Sequence, residues 1–246
     1  MNKSLVVFVL ALFATTSELF ALNVDLQQGA YSYGVGGEFV AGDGNTQVAP
    51  GPGVYSVYGG NYSSLTRYVG NNGVMGFGTF CIEYNEEFNP GSTYAISSIG
   101  PNAMYGGQPP LGDPISKGTA MLYYLYATGN QSFGYDWGAN RRLSAGALQQ
   151  AIWWLEGEGP GGPIQYDANN TFMRLAVTTF GSTAAAMADA NGMYGVQVMT
   201  LGAPGTAQDQ LVLVPDIAAT ALLLCLSLLP VLLLRKKLQP SACQNS

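Results

Sequence analysis

Cys81 and Gln149 are the two residues of this sequence whose types, taken together, suggest covalent chemistry. Cys81 lies in the stretch Thr79-Phe80-Cys81-Ile82-Glu83, and Gln149 lies 68 positions later in Leu148-Gln149-Gln150-Ala151-Ile152-Trp153. A cysteine sulfur that attacks the side-chain amide carbon of a glutamine releases ammonia and leaves an internal thioester. We therefore expect the two stretches to meet in the fold.

A thioester of this kind needs a reactive sulfur, a partner held close to it, and a donor that stabilises the oxyanion as ammonia leaves. Water must also be kept away, because water hydrolyses the product. The candidates for that shelter are the apolar neighbours of the pair: Phe80, Ile82, Ala151, Ile152, Trp153 and Trp154. The completed bond is an electrophile that an amine of a partner can attack, which leaves an amide from Gln149 to the partner and a free Cys81 thiol.

The N-terminal 21 residues have the composition of a secretory signal peptide. Lys3 precedes an apolar run, and small residues follow at Ser17 and Ala21, where we expect cleavage. The sequence therefore predicts export of the chain.

A second targeting segment lies near the other end. Residues 217–234 form an uncharged apolar run at the short limit for a membrane span, and a basic triplet follows, namely Arg235, Lys236 and Lys237. A basic cluster favours the cytoplasmic side, so the bulk of the chain should face outward and residues 238–246 should form a short cytoplasmic tail.

Residues 22–213 remain as one domain, which is long enough to bury a core. This part carries five basic and thirteen acidic residues, a net charge of −8, so it lacks the basic patch of a nucleic-acid-binding protein. Its single cysteine is Cys81, because Cys225 lies in the apolar run and Cys243 in the tail. An exported lone thiol is either buried and inert, paired with another molecule, or chemically committed.

Three alternative chemistries are weaker. The chain has no histidine, which excludes a Cys/His nucleophile pair and with it a cysteine hydrolase. Lys117 is the only lysine of the exported part, and its predicted helical position argues against a Lys–Asn isopeptide. We predict that Glu83, Glu86 and Glu87 form a solvated strand end rather than a metal or acid/base site, and we expect no metal, cofactor or catalytic residue.

Two elements should position the pair. Residues 74–84 are predicted to form a strand in which Cys81 faces one side while Phe80 and Ile82 face the core. Residues 144–155 are predicted to form a helix that Ser144 caps. Gln149 flanks its apolar stripe, whereas Gln150 points away, so Gln149 is the glutamine that can be sheltered.

The remaining pattern predicts helices over residues 116–128 and over 171–190 with a break at Gly181-Ser182, and a Gly- and Pro-rich loop over 100–114. It also predicts strands over residues 38–41, 54–58, 94–99, 196–199 and 211–214. The fold class is therefore α+β.

The two stretches resemble the thioester domains of bacterial surface adhesins. Those domains have an aromatic residue or Leu before the Cys and an apolar residue after it, as in Phe80-Cys81-Ile82. Their second motif is an apolar residue, Gln, any residue, Ala, an apolar residue and Trp, as in residues 148–153. Over about residues 30–213, the resemblance implies a β-sandwich or barrel-like part with an inserted helical part and a Cys81–Gln149 bond between them.

The C-terminal segment, residues 214–237, is similar to a PEP-CTERM sorting signal in a variant with Val214, Pro215 and Asp216. This resemblance implies processing near the tripeptide by an exosortase of a Gram-negative bacterium. Taken together, these expectations describe a surface-anchored protein that bonds covalently to a partner's lysine or amino sugar. The alternative is a surface or exopolysaccharide-associated structural protein in which the pair makes no covalent attachment.

Overall fold

The computed structural model describes residues 23–34, 36–43, 62–69, 75–108, 112–203 and 207–214. The predicted signal peptide, the strand over residues 54–58, the sorting tripeptide from Pro215 onward and the apolar run at 217–234 lie outside these residues. Among the residues described, no helix is both long and apolar enough to cross a membrane.

The described chain is α+β, as predicted, with antiparallel strand pairing throughout. The strands are β1 (Asn23–Tyr33), β2 (Gly36–Asp43), β3 (Arg67–Val69), β4 (Met75–Thr79), β5 (Ser92–Gly100), β6 (Asn102–Gln108), β7 (Gly112–Pro114), β8 (Val196–Leu201) and β9 (Gln210–Leu213). Seven of them form one sheet in the order β3-β4-β2-β1-β5-β8-β9, and β6 pairs with β7.

Four α-helices lie between β7 and β8 in the sequence, namely α1 (Lys117–Ala127), α2 (Arg141–Leu155), α3 (Thr171–Phe180) and α4 (Thr183–Ala186), and a short 3-10 helix, Met193–Gly195, follows them. Helix α2 packs against β1 and β2. The main core lies between the sheet and the helices and contains Phe77, Phe80, Tyr126, Leu148 and Ile152. Its aromatic contacts include the edge-to-face pair Phe80–Tyr126, whose ring centroids are 4.8 Å apart.

The strand predicted over residues 74–84 is shorter in the structure and ends before Cys81. Strand β4 ends at Thr79, where its pairing with β2 stops opposite Phe39. The next residues pair with β9 instead: Leu211 N–H donates to the Phe80 carbonyl at 3.1 Å, and Cys81 forms an isolated bridge with Gln210. The chain changes partners here, so Cys81 joins two strands that are distant in the sheet order.

Helix α2 begins earlier than predicted. Its N-cap is Asn140, and the Ser144 hydroxyl accepts a hydrogen bond from Asp136 N–H rather than capping the helix. The extra turn brings in Arg141, which is buried and forms an ion pair with Glu38 of β2 at 2.5 Å. A tertiary contact therefore sets this helix start, and the local capping pattern does not.

Two other predictions differ in outcome. The break at Gly181 is confirmed, because Gly181 ends α3 in the left-handed region (φ 82°) and Ser182 caps α4, although α4 ends at Ala186 and not at residue 190. The predicted loop over residues 100–114 is wrong, because β6 and β7 form a hairpin there. The high Gly and Pro content of this segment led to the prediction of a loop. Pro114 is compatible with the strand because it is the last residue of β7, which is an edge strand.

Candidate functional site

Cys81 and Gln149 lie in contact. The Cys81 N–H donates to Gln149 Oε1 at 3.1 Å, and Gln149 Nε2 donates to the Cys81 carbonyl at 2.7 Å. Both side chains are buried, with 0 % of Cys81 and 1 % of Gln149 exposed. The carboxamide of Gln149 is therefore held by both polar groups of the Cys81 backbone, and its carbon is fixed next to the residue that carries the sulfur.

The two glutamines of the α2 motif have opposite environments, as the helical spacing predicts. Gln149 faces β2 and the chain beyond β4, whereas Gln150 is exposed. The space for Gln149 depends on Gly36 of β2. A Cβ atom at Gly36 would lie 2.6 Å from Gln149 Cγ and 2.6 Å from Trp153 Cη2.

The Cys81 sulfur is held by two further glutamines, which sequence reasoning missed. Its S–H donates to Gln208 Oε1 at 2.7 Å, and Gln210 Nε2 donates to the sulfur at 3.3 Å. Gln208 Nε2 also donates to the Glu83 carbonyl. The polar stretch Gln208-Asp209-Gln210, whose last residue begins β9, is the sequence signal that could have directed attention to them.

Burial raises the pKa of the Cys81 thiol far above its ordinary value, because a thiolate would be desolvated here. The hydrogen bond from Gln210 acts in the opposite direction, and the charge of Glu83 adds to the increase. Burial therefore favours the protonated thiol over the thiolate at this sulfur.

The shelter around the sulfur differs from the predicted one. Cys81 belongs to a small apolar cluster with Phe39 and Trp153, against which Tyr84 and Ile164 pack. The Tyr84 ring contacts Trp153 edge to face, with centroids 4.9 Å apart.

Five of the predicted shelter residues pack in the main core instead: Phe80, Ile82, Ala151, Ile152 and Trp154. Phe80 and Ile82, the chain neighbours of Cys81, pack in the main core, whereas Cys81 packs in the small cluster. Of the predicted shelter residues on α2, Trp153 alone stands four residues from Gln149, which places it on the same face.

The segment after Cys81 is not the solvated strand end that the sequence predicts. Glu83 and Glu86 are buried, and only Glu87 is exposed. The carboxylates of Glu83, Glu86 and Asp209 have oxygen atoms within 4.8 Å of one another, and they form the one group of described residues that could hold a cation. Burial and the nearby Glu86 charge raise the pKa of Asp209 to about 6, while hydrogen bonds from the Met104 and Leu201 amides oppose that increase.

The other predicted sites are placed as follows. Lys117 is the first residue of α1, where its N–H donates to the Ala188 carbonyl at 2.8 Å. Val214 follows β9, and its N–H donates to the Gly195 carbonyl at 2.9 Å. Pro215, Asp216, Arg235, Lys236 and Lys237 lie outside the described residues.

Comparison of the chain with known protein families, curated proteins and solved structures finds no match.

Proposed function

We propose that the exported protein carries an internal thioester between Cys81 and Gln149 and uses it to bond covalently to an amine of a partner. The observation that carries this proposal is the pair of hydrogen bonds between the Gln149 carboxamide and the Cys81 backbone, at 3.1 and 2.7 Å. Because Cys81 and Gln149 are 68 positions apart in the sequence, only the tertiary fold can bring them into this buried, hydrogen-bonded contact.

The hydrogen bond to Gln149 Oε1 suits the chemistry. This oxygen gains negative charge when the sulfur adds to the side-chain carbon, and the Cys81 N–H is already directed at it. A fixed backbone donor at a buried site stabilises such a charge more than water does, because it needs no reorganisation. The donor belongs to the same residue as the nucleophile, which adds proximity to electrostatic stabilisation.

Because burial raises the pKa of the Cys81 thiol, the proposed reaction starts from the protonated thiol. The sulfur forms a bond with Gln149 Cδ, the Cδ–Nε2 bond breaks, and the S–H proton leaves with the nitrogen as ammonia. Reactants and products are all neutral, so no lasting thiolate has to exist in the buried site. In the later attachment step, an amine nitrogen attacks Cδ, the Cδ–sulfur bond breaks, and an amine proton passes to the sulfur.

The surroundings of the pair support storage of the bond. Phe39 and Trp153 form an apolar cluster with Cys81, Tyr84 packs against that cluster, and both reacting side chains are buried. The proposal includes the fold arrangement that the resemblance implies. Its barrel-like β part is supported by the bridge between Cys81 and Gln210, which connects the chain beyond β4 with β9. Its inserted helical part corresponds to α1 to α4.

The protein acts in this proposal at the cell surface or in the extracellular matrix. Residues 1–21 direct export, residues 217–234 anchor the chain before any processing, and an exosortase-type enzyme acts near Val214, Pro215 and Asp216. The covalent partner is an amine-bearing surface or matrix ligand, either a protein lysine or an amino sugar. Each molecule reacts once, so the protein is an adhesion module and not an enzyme.

One observation favours a second candidate function. The Cys81 S–H donates to Gln208 Oε1 at 2.7 Å, so the sulfur has a hydrogen-bond partner without Gln149. A structural surface protein in which the pair joins α2 to β4 and β9 would need nothing more. The two candidates differ in the covalent state of the protein, which can be measured.

Intact mass of the purified exported protein tests the proposal. We expect a mass lower than that of the sequence by one ammonia. Methylamine should convert the protein to an adduct and release one thiol. The deficit should be absent in Cys81→Ala and in Gln149→Ala, and it should persist in Gln150→Ala, which changes the exposed neighbour.

A full mass with one thiol that titrates after unfolding would contradict the thioester. A mass deficit that no amine reverses would instead favour the structural function. In that case the bond would serve as a cross-link and not as a reactive group.

A further inference from the structure

Three glutamine carboxamides contact Cys81, and they contact different parts of it. The Gln149 carboxamide is hydrogen-bonded to the backbone N–H and carbonyl of Cys81. The sulfur contacts the other two: its S–H donates to Gln208 Oε1 at 2.7 Å, and Gln210 Nε2 donates to it at 3.3 Å. The nucleophilic atom is therefore in direct contact with the Gln208 carboxamide, whereas Gln149 holds the backbone of the same residue.

The contact with Gln208 limits the distance between the sulfur and a carbon that it could attack. A carbonyl carbon lies about 1.2 Å from its oxygen, so a sulfur 2.7 Å from Gln208 Oε1 is at most about 3.9 Å from Gln208 Cδ. Reacting atoms in a near-attack arrangement are about 3–3.5 Å apart. A displacement on the order of 1 Å, which side-chain rotation can supply, completes the approach.

Backbone pairing holds Gln208 beside Cys81. The Ile82 N–H donates to the Asp209 carbonyl at 3.3 Å, which aligns the chain after Cys81 with the chain after Gln208. Gln208 Nε2 donates to the Glu83 carbonyl, so both ends of this carboxamide are fixed. Gln208 is buried, as Cys81 and Gln149 are, so a bond formed here is sheltered from water in the same way.

Gln210 supplies a hydrogen-bond donor for charge on the sulfur. Negative charge develops on sulfur as its proton leaves, and again when an acyl group departs from it. The Gln210 Nε2 donor is fixed and buried, so it stabilises this charge without reorganisation. The same nitrogen donates to the Gln208 main-chain carbonyl at 3.2 Å, which ties the donor to the segment that carries Gln208.

We propose that Gln208 is a second acyl partner of the Cys81 sulfur, so that a thioester can close on Gln208 as well as on Gln149. The inference rests on the thioester chemistry proposed above and adds a partner to it. The sulfur forms a bond with Gln208 Cδ, the Cδ–Nε2 bond breaks, and the S–H proton leaves with the nitrogen as ammonia. Because Cys81 has one sulfur, each molecule holds one bond or the other.

The position of an attached amine separates the two partners. Gln149→Ala does not separate them, because the Gln149 carboxamide also holds the Cys81 backbone. Methylamine opens either thioester and remains as an N-methyl amide on the glutamine that formed the bond. Trypsin cleaves after Arg142 and Arg174, so Gln149 and Gln208 end in different peptides.

The purified full chain is treated with methylamine and digested, and the labelled residue is located by fragmentation of its peptide in a mass spectrometer. We expect N-methylglutamine at position 208. Label confined to Gln149 would overturn this inference and retain the bond proposed above. Label confined to Gln208 would retain the inference and remove Gln149 as an acyl partner. A chain that takes up no methylamine would have neither bond.

A matched pair of variants extends the test. Gln208→Met keeps the length of the side chain but removes the carboxamide, so the peptide after Arg174 should take up no label and the remaining mass deficit should map to Gln149. Gln197→Met changes another glutamine of the same tryptic peptide, which lies on β8, and should leave the label at position 208 unchanged. The label on the wild-type chain needs no variant, so poor folding of Gln208→Met would leave the assignment testable.

Discussion

The Gln149 side chain pairs with the backbone of Cys81 as another strand would, accepting from its N–H at 3.1 Å and donating to its carbonyl at 2.7 Å. A helix residue thus completes the hydrogen bonding of a strand residue at the place where the strand changes partners from β2 to β9. The same pairing fixes the carboxamide carbon near the cysteine that is proposed to attack it.

Gly36 should be intolerant of even one added carbon. Gly36→Ala would place a Cβ atom 2.6 Å from both Gln149 Cγ and Trp153 Cη2, so the Gln149 side chain must move away from Cys81. We expect a loss of about 1–3 kcal/mol in the free energy of unfolding, measured by urea denaturation, and a lower fraction of protein with the mass deficit. Gly100→Ala is the control, because a Cβ atom there meets nothing within 4 Å. Equal effects of the two substitutions would contradict this account of the site.

Trp153 and Trp154 are adjacent and similarly buried, but only Trp153 belongs to the apolar cluster of Cys81, whereas Trp154 packs in the main core. Both alanine variants should lose about 3–5 kcal/mol of stability, because each leaves a large cavity. Trp153→Ala should in addition hydrolyse the proposed thioester about tenfold faster, since water gains access to it, and intact mass followed over time at pH 7.5 measures this rate. If Trp154→Ala hydrolyses as fast, general loosening of the fold and not loss of a local cover would explain the result.

Arg141 joins the start of α2 to β2 through a buried ion pair with Glu38. Arg141→Met keeps most of the stem but leaves the Glu38 carboxylate buried without its cation, so we expect a loss of about 3–5 kcal/mol in thermal or urea unfolding. Arg174→Met removes an exposed arginine and should cost less than about 1 kcal/mol. A small effect at Arg141 would mean that the apolar stripe of α2 suffices to hold this helix.

Asp209 should make the folded protein more stable in mild acid. Its pKa is raised from 3.8 to about 6 on folding, mainly by burial. The folded state therefore binds the proton more tightly than the unfolded state, so this contribution is fully present below about pH 4 and is lost as the pH rises through 6. We expect the free energy of unfolding to fall by on the order of 2 kcal/mol between pH 4 and pH 7.5 through this group.

Urea denaturation at several pH values measures that change, and Asp209→Asn should reduce the slope between pH 4 and 7. Asp167→Asn, at an exposed position, should keep the slope of the wild type. A slope that Asp209→Asn leaves unaltered would assign the pH dependence to other groups.

The sequence by itself determined the features that depend on short-range periodicity and on residue type. Helical spacing separated buried Gln149 from exposed Gln150, and the predicted alternation turned Phe80 and Ile82 toward the core, where both pack, although the sequence had also suggested them as shelter for the sulfur. Gly181 and Ser182 marked a helix break because their backbone and capping preferences act within a few residues. The absence of histidine likewise follows from the sequence alone, so that a Cys/His nucleophile pair is not available to Cys81.

Only the tertiary structure decided which groups surround the reacting pair. Gln208 and Gln210 reach the sulfur because β9 pairs with the chain beyond β4, a contact between residues about 130 positions apart that no local pattern encodes. Gly36 matters because α2 packs on β2 closely enough to leave no room for a methyl group, and the start of α2 depends on an ion pair with that same strand. Such choices follow from three-dimensional packing and from the desolvation of buried polar groups, which act between segments that the sequence keeps far apart.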